Sequence, residues 1–390
     1  MAWPDPQALN DTLAATLGAT TTAAAGEAGT QVVLRTVKAG ACAFLIGVVI
    51  GPLVVSWLKR LRTQETVEKA DSAKLADLSK GKRDTPTMGG VLFLPAMGFS
   101  LALFGDLGNP YVATALLGAV GFCLIGMIDD LLKLTRRGKG PGGKSGISAR
   151  GKMALQVGVS AALAFALLAT MRHGTSDPEE LRQLLSVSVP FSDATFDLSA
   201  WNGLPYALLC TLIMVGTSNA VNLTDGLDGL APGCVVLAAG AFAVIAYAVG
   251  RSDNAFGLTL AHVRGAEEMA VVAAALAGAG IAFLWFNAHP AQVFLGDTGS
   301  LALGGLLGFL ACVTKQELVL PIVGGVFVAE ALSVVLQVAW FKRTRKRIFR
   351  CAPLHHHFQF GGMHEVKIVT RFWIVAGLCA LAGLATLAVR

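Results

Sequence analysis

Four polar residues at a constant spacing of three, Asn219, Asn222, Asp225 and Asp228, close an apolar run that begins at Leu204. Three residues on an α-helix drift by about 60°, so four such positions cannot share one narrow face. Asn219 and Asn222 are therefore expected on the last helical turn, with Asp225 and Asp228 on the loop beyond. Gly226, Gly229 and Pro232 support that break, because glycine permits tight turns and proline cannot continue a helix. The adjacent pair Asp129 and Asp130 ends another apolar run, with Lys133 at helical pairing distance. Asp297 stands between Gly296 and Gly299, where the backbone can approach a bulky ligand closely. His355, His356 and His357 follow Pro353 in a basic segment. Three consecutive histidines point in different directions, so they make a poor three-ligand metal site. Any one of them can still be a phosphate donor or an acid–base group.

Five carboxylates brought to one end of a molecule would repel one another strongly in a low dielectric. A divalent cation resolves this, and hard all-oxygen ligands favour Mg²⁺ or Mn²⁺ over Zn²⁺. Mg²⁺ among carboxylates and lysines at a membrane surface suits phosphoryl transfer between a soluble phosphate ester and a lipid. Lys82, close before a helix start, is placed for phosphate binding. Phe294, on the loop before Asp297, could stack on a base or dip into the bilayer. Glu330 and Gln337, seven apart on one helix face, should look into the bundle or a cavity. His289 reads as structural.

The elements that position these groups are membrane helices. Mean hydropathy is +0.63, hydrophobic residues make up 54% and charged residues 14%, against about 25% charged in a soluble domain. Ten apolar segments can be marked: 39–58, 88–104, 112–132, 153–171, 204–221, 234–249, 269–286, 301–313, 318–341 and 372–389. Most reach the roughly 17–25 residues that a spanning helix needs. Segment 301–313 is short and Gly-rich and is the weakest of them. Period-2 alternation is almost absent, which excludes a β-barrel. The expected fold is an all-α integral membrane protein of about ten spans, forming one catalytic domain over 35–390. An Ala/Thr-rich leader, 1–34, is expected to be flexible or a short surface helix.

Of the chain's 31 Lys and Arg, 23 fall in 59–87, 131–152 and 342–371. The positive-inside rule makes these three loops cytoplasmic and, with ten spans, puts both termini outside. The basic residues serve topology, and no nucleic-acid motif accompanies them, so nucleic acid is not an expected partner. Seven scattered cysteines without a C-x-x-C pair suggest neither a disulfide framework nor a zinc site. Residues 1–34 hold no Lys or Arg, so no cleavable signal peptide is expected. Residues 138–145 match the P-loop expression, but that motif works between a strand and a helix, and here it follows a membrane helix. A flexible basic loop is the better reading, with Lys144, Arg150 and Lys152 attracting an anionic substrate.

Together the runs 219–230, Asp129-Asp130, 85–90, 294–300 and 353–357 closely resemble the bacterial phospho-N-acetylmuramoyl-pentapeptide transferase family, from about residue 40 to the end. The resemblance implies a ten-span enzyme of the polyprenyl-phosphate sugar-phosphate transferase superfamily, in the bacterial inner membrane with its active-site cleft facing the cytoplasm. It implies transfer of phospho-MurNAc-pentapeptide from the UDP-linked donor to undecaprenyl phosphate, Mg²⁺ dependence and a homodimer. Asp297 takes the place of the family's metal aspartate, and Asp129 and Asp130 that of its paired aspartates. Asp225, Asp228, Asn287 and Phe294 take the nucleoside pocket, and Lys82, Lys133 and Lys152 the phosphate side. Thr87, Asn219, Asn222 and Gln337 complete the expected substrate contacts, with His355 to His357 as catalytic candidates. Two rivals remain: a related transferase of GlcNAc-1-phosphate, set aside only by the resemblance of 353–357, and an ion-coupled transporter. A transporter would bind at the midplane between repeats, and the acidic groups cluster at one end instead.

Overall fold

A backbone inside a bilayer must satisfy its own hydrogen bonds, so each apolar run becomes a helix. The computed structural model describes residues 6–61, 63, 82, 84–135, 146–251 and 261–387. In chain order the helices are α1 (Pro6–Arg60), α2 (Phe93–Phe104, entered through a 3₁₀ turn at Gly89–Leu92), α3 (Pro110–Thr135) and α4 (Ala149–Gly174). There follow α5 (Pro178–Leu184), α6 (Ala200–Thr224), α7 (Leu230–Gly250), α8 (Glu268–Asn287) and α9 (Gly296–Val313). The last are α10 (Leu320–Val323), α11 (Gly325–Thr344), α12 (Leu354–Phe360) and α13 (Glu365–Ala385).

Nine helices among the described residues are long and apolar enough to cross a membrane, and the apolar helix Gly89–Phe104 is shorter. The chain is a multi-pass membrane protein. Each of the ten apolar segments falls on a helix, with two differences in detail. Segment 88–104 gives the short helix, and segment 318–341 is broken at Gly324 into α10 and α11. α1 runs without a break through residues 6–34. The only strands among the described residues are β1 (Ser186–Ser188) and β2 (Thr195–Asp197), a short antiparallel pair with Val187 opposite Phe196. The P-loop-like stretch lies almost wholly outside the described residues.

The segment that read as weakest is the centre of the bundle. In α9, 94% of the span is buried, more than in any other. Its glycines lower its hydropathy, yet they are what let other helices close on it. A Cβ at Gly304 would lie 2.5 Å from the Thr217 carbonyl oxygen, so α6 meets α9 nearly backbone to backbone. That contact carries Asn222, at the end of α6, to the head of α9, where Asp297 sits. From the other side α3 packs on the same helix and brings Asp129 and Asp130 to the same place.

Candidate active site

Asp130 is 2% exposed. Its Oδ2 accepts from the Thr298 backbone N–H at 3.0 Å and from Thr298 Oγ1 at 2.7 Å. The first-turn N–H groups of a helix have no partner inside it. Asp130, reaching across from α3, supplies one and ties the start of α9 to the end of α3. Its neighbour Asp129 accepts from the Ile147 N–H at 2.7 Å through Oδ1 and presents Oδ2 to Lys133 Nζ at 3.0 Å. Asp297 Oδ1 accepts from Asn222 Nδ2 at 2.6 Å. Its Oδ2 accepts from Lys133 Nζ at 2.7 Å and from Lys152 Nζ at 2.6 Å. Asn222 also donates to Ser300 Oγ at 2.8 Å, which fixes its amide.

One oxygen from each of Asp129, Asp130 and Asp297 lies within 4.8 Å of the others. Two unit charges 4 Å apart at an effective dielectric of 20 repel by about 4 kcal/mol, so three carboxylates at this spacing need positive charge among them. Lys133 and Lys152 supply it. The donor set is entirely oxygen, which fits a hard dication such as Mg²⁺. The oxygens free of any main-chain or amide partner, Asp129 Oδ2 and Asp297 Oδ2, are the two that the ammonium groups share. Asp130 is already committed to Thr298, so its part is to hold α9 in place.

A second cluster lies on the loop after α6. Asp228, 4% exposed, pairs with Lys82 Nζ at 2.6 Å. Its other oxygen lies 3.1 Å from His289 Nδ1 and accepts from the Ala291 N–H at 3.1 Å. Lys82 pairs also with Glu365, at 2.5 Å, and Glu365 accepts from the Asp228 N–H at 2.9 Å. Glu365 was not foreseen. Its one sequence signal is being the only acidic residue in the basic stretch 342–371. His289, expected to be structural, orients Asp228.

The structure places the remaining candidates as follows. Asn287, 2% exposed, joins two loops: Oδ1 accepts from the Gly229 N–H at 2.9 Å and Nδ2 donates to Val293 O at 2.8 Å. Asn219 Nδ2 donates to Gln156 Oε1 at 2.9 Å. Thr87 is buried, with its N–H donating to Thr63 O at 3.1 Å. Phe294 is half-buried, and its N–H donates to Pro86 O at 2.8 Å, so 85–86 run extended before the 3₁₀ turn as the proline requires. Asp225 caps the end of α6, on the loop side of the break that the spacing predicts. Gln337 accepts from the Ile348 and Phe349 N–H groups at 3.0 and 2.9 Å and so ties the 345–350 turn to α11.

The histidines divide by environment. His357 Nδ1 accepts from the Arg350 N–H at 3.1 Å. His356 is pushed down to about 4 by burial, by neighbouring His355 and by Lys82, so it is neutral at pH 7. His355 is 1% exposed. Glu330 Oε1 accepts from its backbone N–H at 3.1 Å, and Oε2 lies 3.2 Å from its Nδ1. The ring rests on Gly226, where a Cβ would fall 2.1 Å from Nε2. Gly226→Ala is therefore expected to cost about 1–3 kcal/mol by overpacking. The double variant with His355→Ala should lose less stability than the two single losses summed. Thermal unfolding of the four proteins tests this, and strict additivity would show that the two residues do not touch.

Comparison with known proteins places these residues in a family. A profile for glycosyl transferase family 4 matches residues 112–315, which hold every member of the carboxylate–lysine cluster. The phospho-N-acetylmuramoyl-pentapeptide-transferase signature 1 matches residues 82–94, which include Lys82 and Thr87. A phospho-N-acetylmuramoyl-pentapeptide-transferase of Nitratidesulfovibrio vulgaris is 44% identical over 92% of this chain and 94% of its own. Those of Solidesulfovibrio magneticus (92% and 94% covered) and Granulibacter bethesdensis (89% and 91% covered) are each 45% identical. The chain belongs to the phospho-N-acetylmuramoyl-pentapeptide transferase family. Its membership reaches from the signature at Lys82 through the metal-ready carboxylates, and the two are joined in space by the loop 225–229. Asn222, just before that loop, binds Asp297, and Asp228, within it, binds Lys82.

Proposed function

We propose that the chain transfers phospho-MurNAc-pentapeptide from UDP-MurNAc-pentapeptide to undecaprenyl phosphate, giving lipid I and UMP, at the cytoplasmic face of a bacterial inner membrane. The observation that carries this reading is the cluster of Asp129, Asp130 and Asp297 braced by Lys133 and Lys152, in a chain 44–45% identical to such transferases. The 23 of 31 basic residues in three loops support a cytoplasmic site with both termini outside. A homodimer is the assembly that the family resemblance suggests.

Asp297 and Asp129 are the residues that would hold Mg²⁺, which when bound neutralises charge on the pyrophosphate. Lys133 and Lys152 draw the phosphates to the carboxylate cluster. Lys82, held between Asp228 and Glu365, serves the phosphate side where it meets the nucleoside pocket, with Phe294 offering a ring to the base. Neutral His356 can donate one hydrogen bond without adding charge. The acceptor phosphate, with a second pKa near 6, is mostly dianionic at pH 7 and hardly needs a base. One of its oxygens attacks the donor's β-phosphorus, the bond to the bridging oxygen breaks, and UMP departs with that oxygen. Asp129 orients the acceptor. Purified protein given undecaprenyl phosphate should release UMP with UDP-MurNAc-pentapeptide and not with UDP-GlcNAc. Release with UDP-GlcNAc alone would assign the chain to the GlcNAc-1-phosphate relatives instead.

A further inference from the structure

Lys133 and Lys152, at the ends of their helices, both reach Asp297. Arg371, exposed at the edge of the apolar part of α13, has no such carboxylate among the described residues, and a cation at that depth meets the headgroup layer. It stands six residues into α13, about 9 Å along the helix from Glu365. Its Nη1 donates to Met363 Sδ at 3.7 Å. Glu365, the acid nearest in sequence, is occupied by Lys82.

Beside Arg371 lies a cavity of about 320 Å³ between α11, α12 and α13. It runs from Gly325 and Cys379 at one end to Phe358 and Met363 at the other, with Ala329 and Val375 on its walls. Among the described residues Arg371 is the only charged one lining it. Val375 is 49% exposed, so the α13 wall of the cavity is accessible from outside the bundle. A dry apolar cavity does not hold water, but one reached from a bilayer takes up hydrocarbon. An apolar slot whose rim carries a cation with no carboxylate partner among the described residues matches one molecule type in charge and in polarity.

The geometry points to a binding site for one anionic phospholipid, with its phosphate on Arg371 and part of an acyl chain in the cavity. No residue of α3, α4, α6 or α9, which carry the carboxylate–lysine cluster, lines the cavity. The occupant is thus a resident lipid and not the acceptor, whose phosphate must reach that cluster. The inference needs only a multi-pass membrane protein and stands apart from the proposed reaction. Because the cavity touches α12, which carries His355 to His357, a lipid seated there would also support that helix from below.

Native mass spectrometry of the detergent-purified full chain, titrated with phosphatidylglycerol, phosphatidylcholine or undecaprenyl phosphate, tests the site. Phosphatidylglycerol should be retained in preference to phosphatidylcholine. Arg371→Gln should weaken its retention about tenfold, as expected for losing one charge-assisted bond to phosphate. Ala329→Trp should abolish the same retention by filling the cavity. If that variant does not fold, Val375→Trp blocks the mouth from an exposed position. Wild-type retention in Arg371→Gln, or equal retention of the two phospholipids, would overturn the proposal. So would displacement of the phosphatidylglycerol by stoichiometric undecaprenyl phosphate, which would make the cavity an acceptor site.

Discussion

Asp297→Asn should cut turnover about a hundred- to a thousandfold, the loss usual for one preorganised electrostatic group in an active site, while the protein still folds. Asn is isosteric and can keep the contact with Asn222 through its carbonyl oxygen. What it cannot keep is the charge on which Lys133 and Lys152 converge, at 2.7 and 2.6 Å. With that charge gone, the two ammonium groups face each other with only Asp129 and Asp130 to offset them, and the inward-facing oxygen suited to a dication is lost. Raising Mg²⁺ should then restore little activity. UMP release measured against Mg²⁺ concentration, alongside thermal unfolding, separates the effect on chemistry from any on folding. Near-normal turnover at low Mg²⁺ would remove Asp297 from the metal site.

Polar residues inside or just beyond apolar runs were legible because a bilayer makes them expensive. Asp129, Asp130, Asn222, Asp228 and Asp297 all stand out for that reason, and the structure brings them into two adjoining clusters. The break after Thr224 was legible from spacing and glycines alone. Other features depend on which helices meet, and one chain position says nothing of that. Glu365 looks like a solvated residue at a helix start until Lys82 is seen between it and Asp228. Glu330 and Gln337 do share a face, yet one supports His355 and the other ties down a turn. The centrality of α9 was hidden because hydropathy counts glycine as weak, whereas close packing depends on it. The break at Gly324 was missed for a related reason: an unbroken apolar composition does not reveal a change of helix direction.

Gly126→Ala should be severely damaging for so small a substitution. Gly126 lies on α3, three residues before Asp129, and α9 crosses it nearly backbone to backbone. An added Cβ would lie 2.1 Å from the Asp297 carbonyl oxygen and 2.5 Å from the Thr298 nitrogen. Both obstacles are main chain, so no side-chain rotation relieves the clash, and the helices must part by roughly 1 Å for ordinary contact distances. Hydrogen bonds tolerate only a few tenths of an ångström. The Thr298 to Asp130 bonds at 3.0 and 2.7 Å and the Lys133 to Asp297 contact at 2.7 Å all bridge that same gap. A displacement of this size in a catalytic constellation costs about a hundredfold in rate, on top of about 1–3 kcal/mol of overpacking strain. Gly158→Ala on α4 is the matched control, because a Cβ there meets nothing within 4 Å. Alanine also favours a helix over glycine by about 1 kcal/mol. UMP release and thermal unfolding of both variants should show Gly158→Ala active and no less stable than the parent, and Gly126→Ala nearly inactive. If Gly126→Ala were as active as the control, the close crossing of α3 and α9 would not be what holds Asp129, Asp130 and Asp297 together.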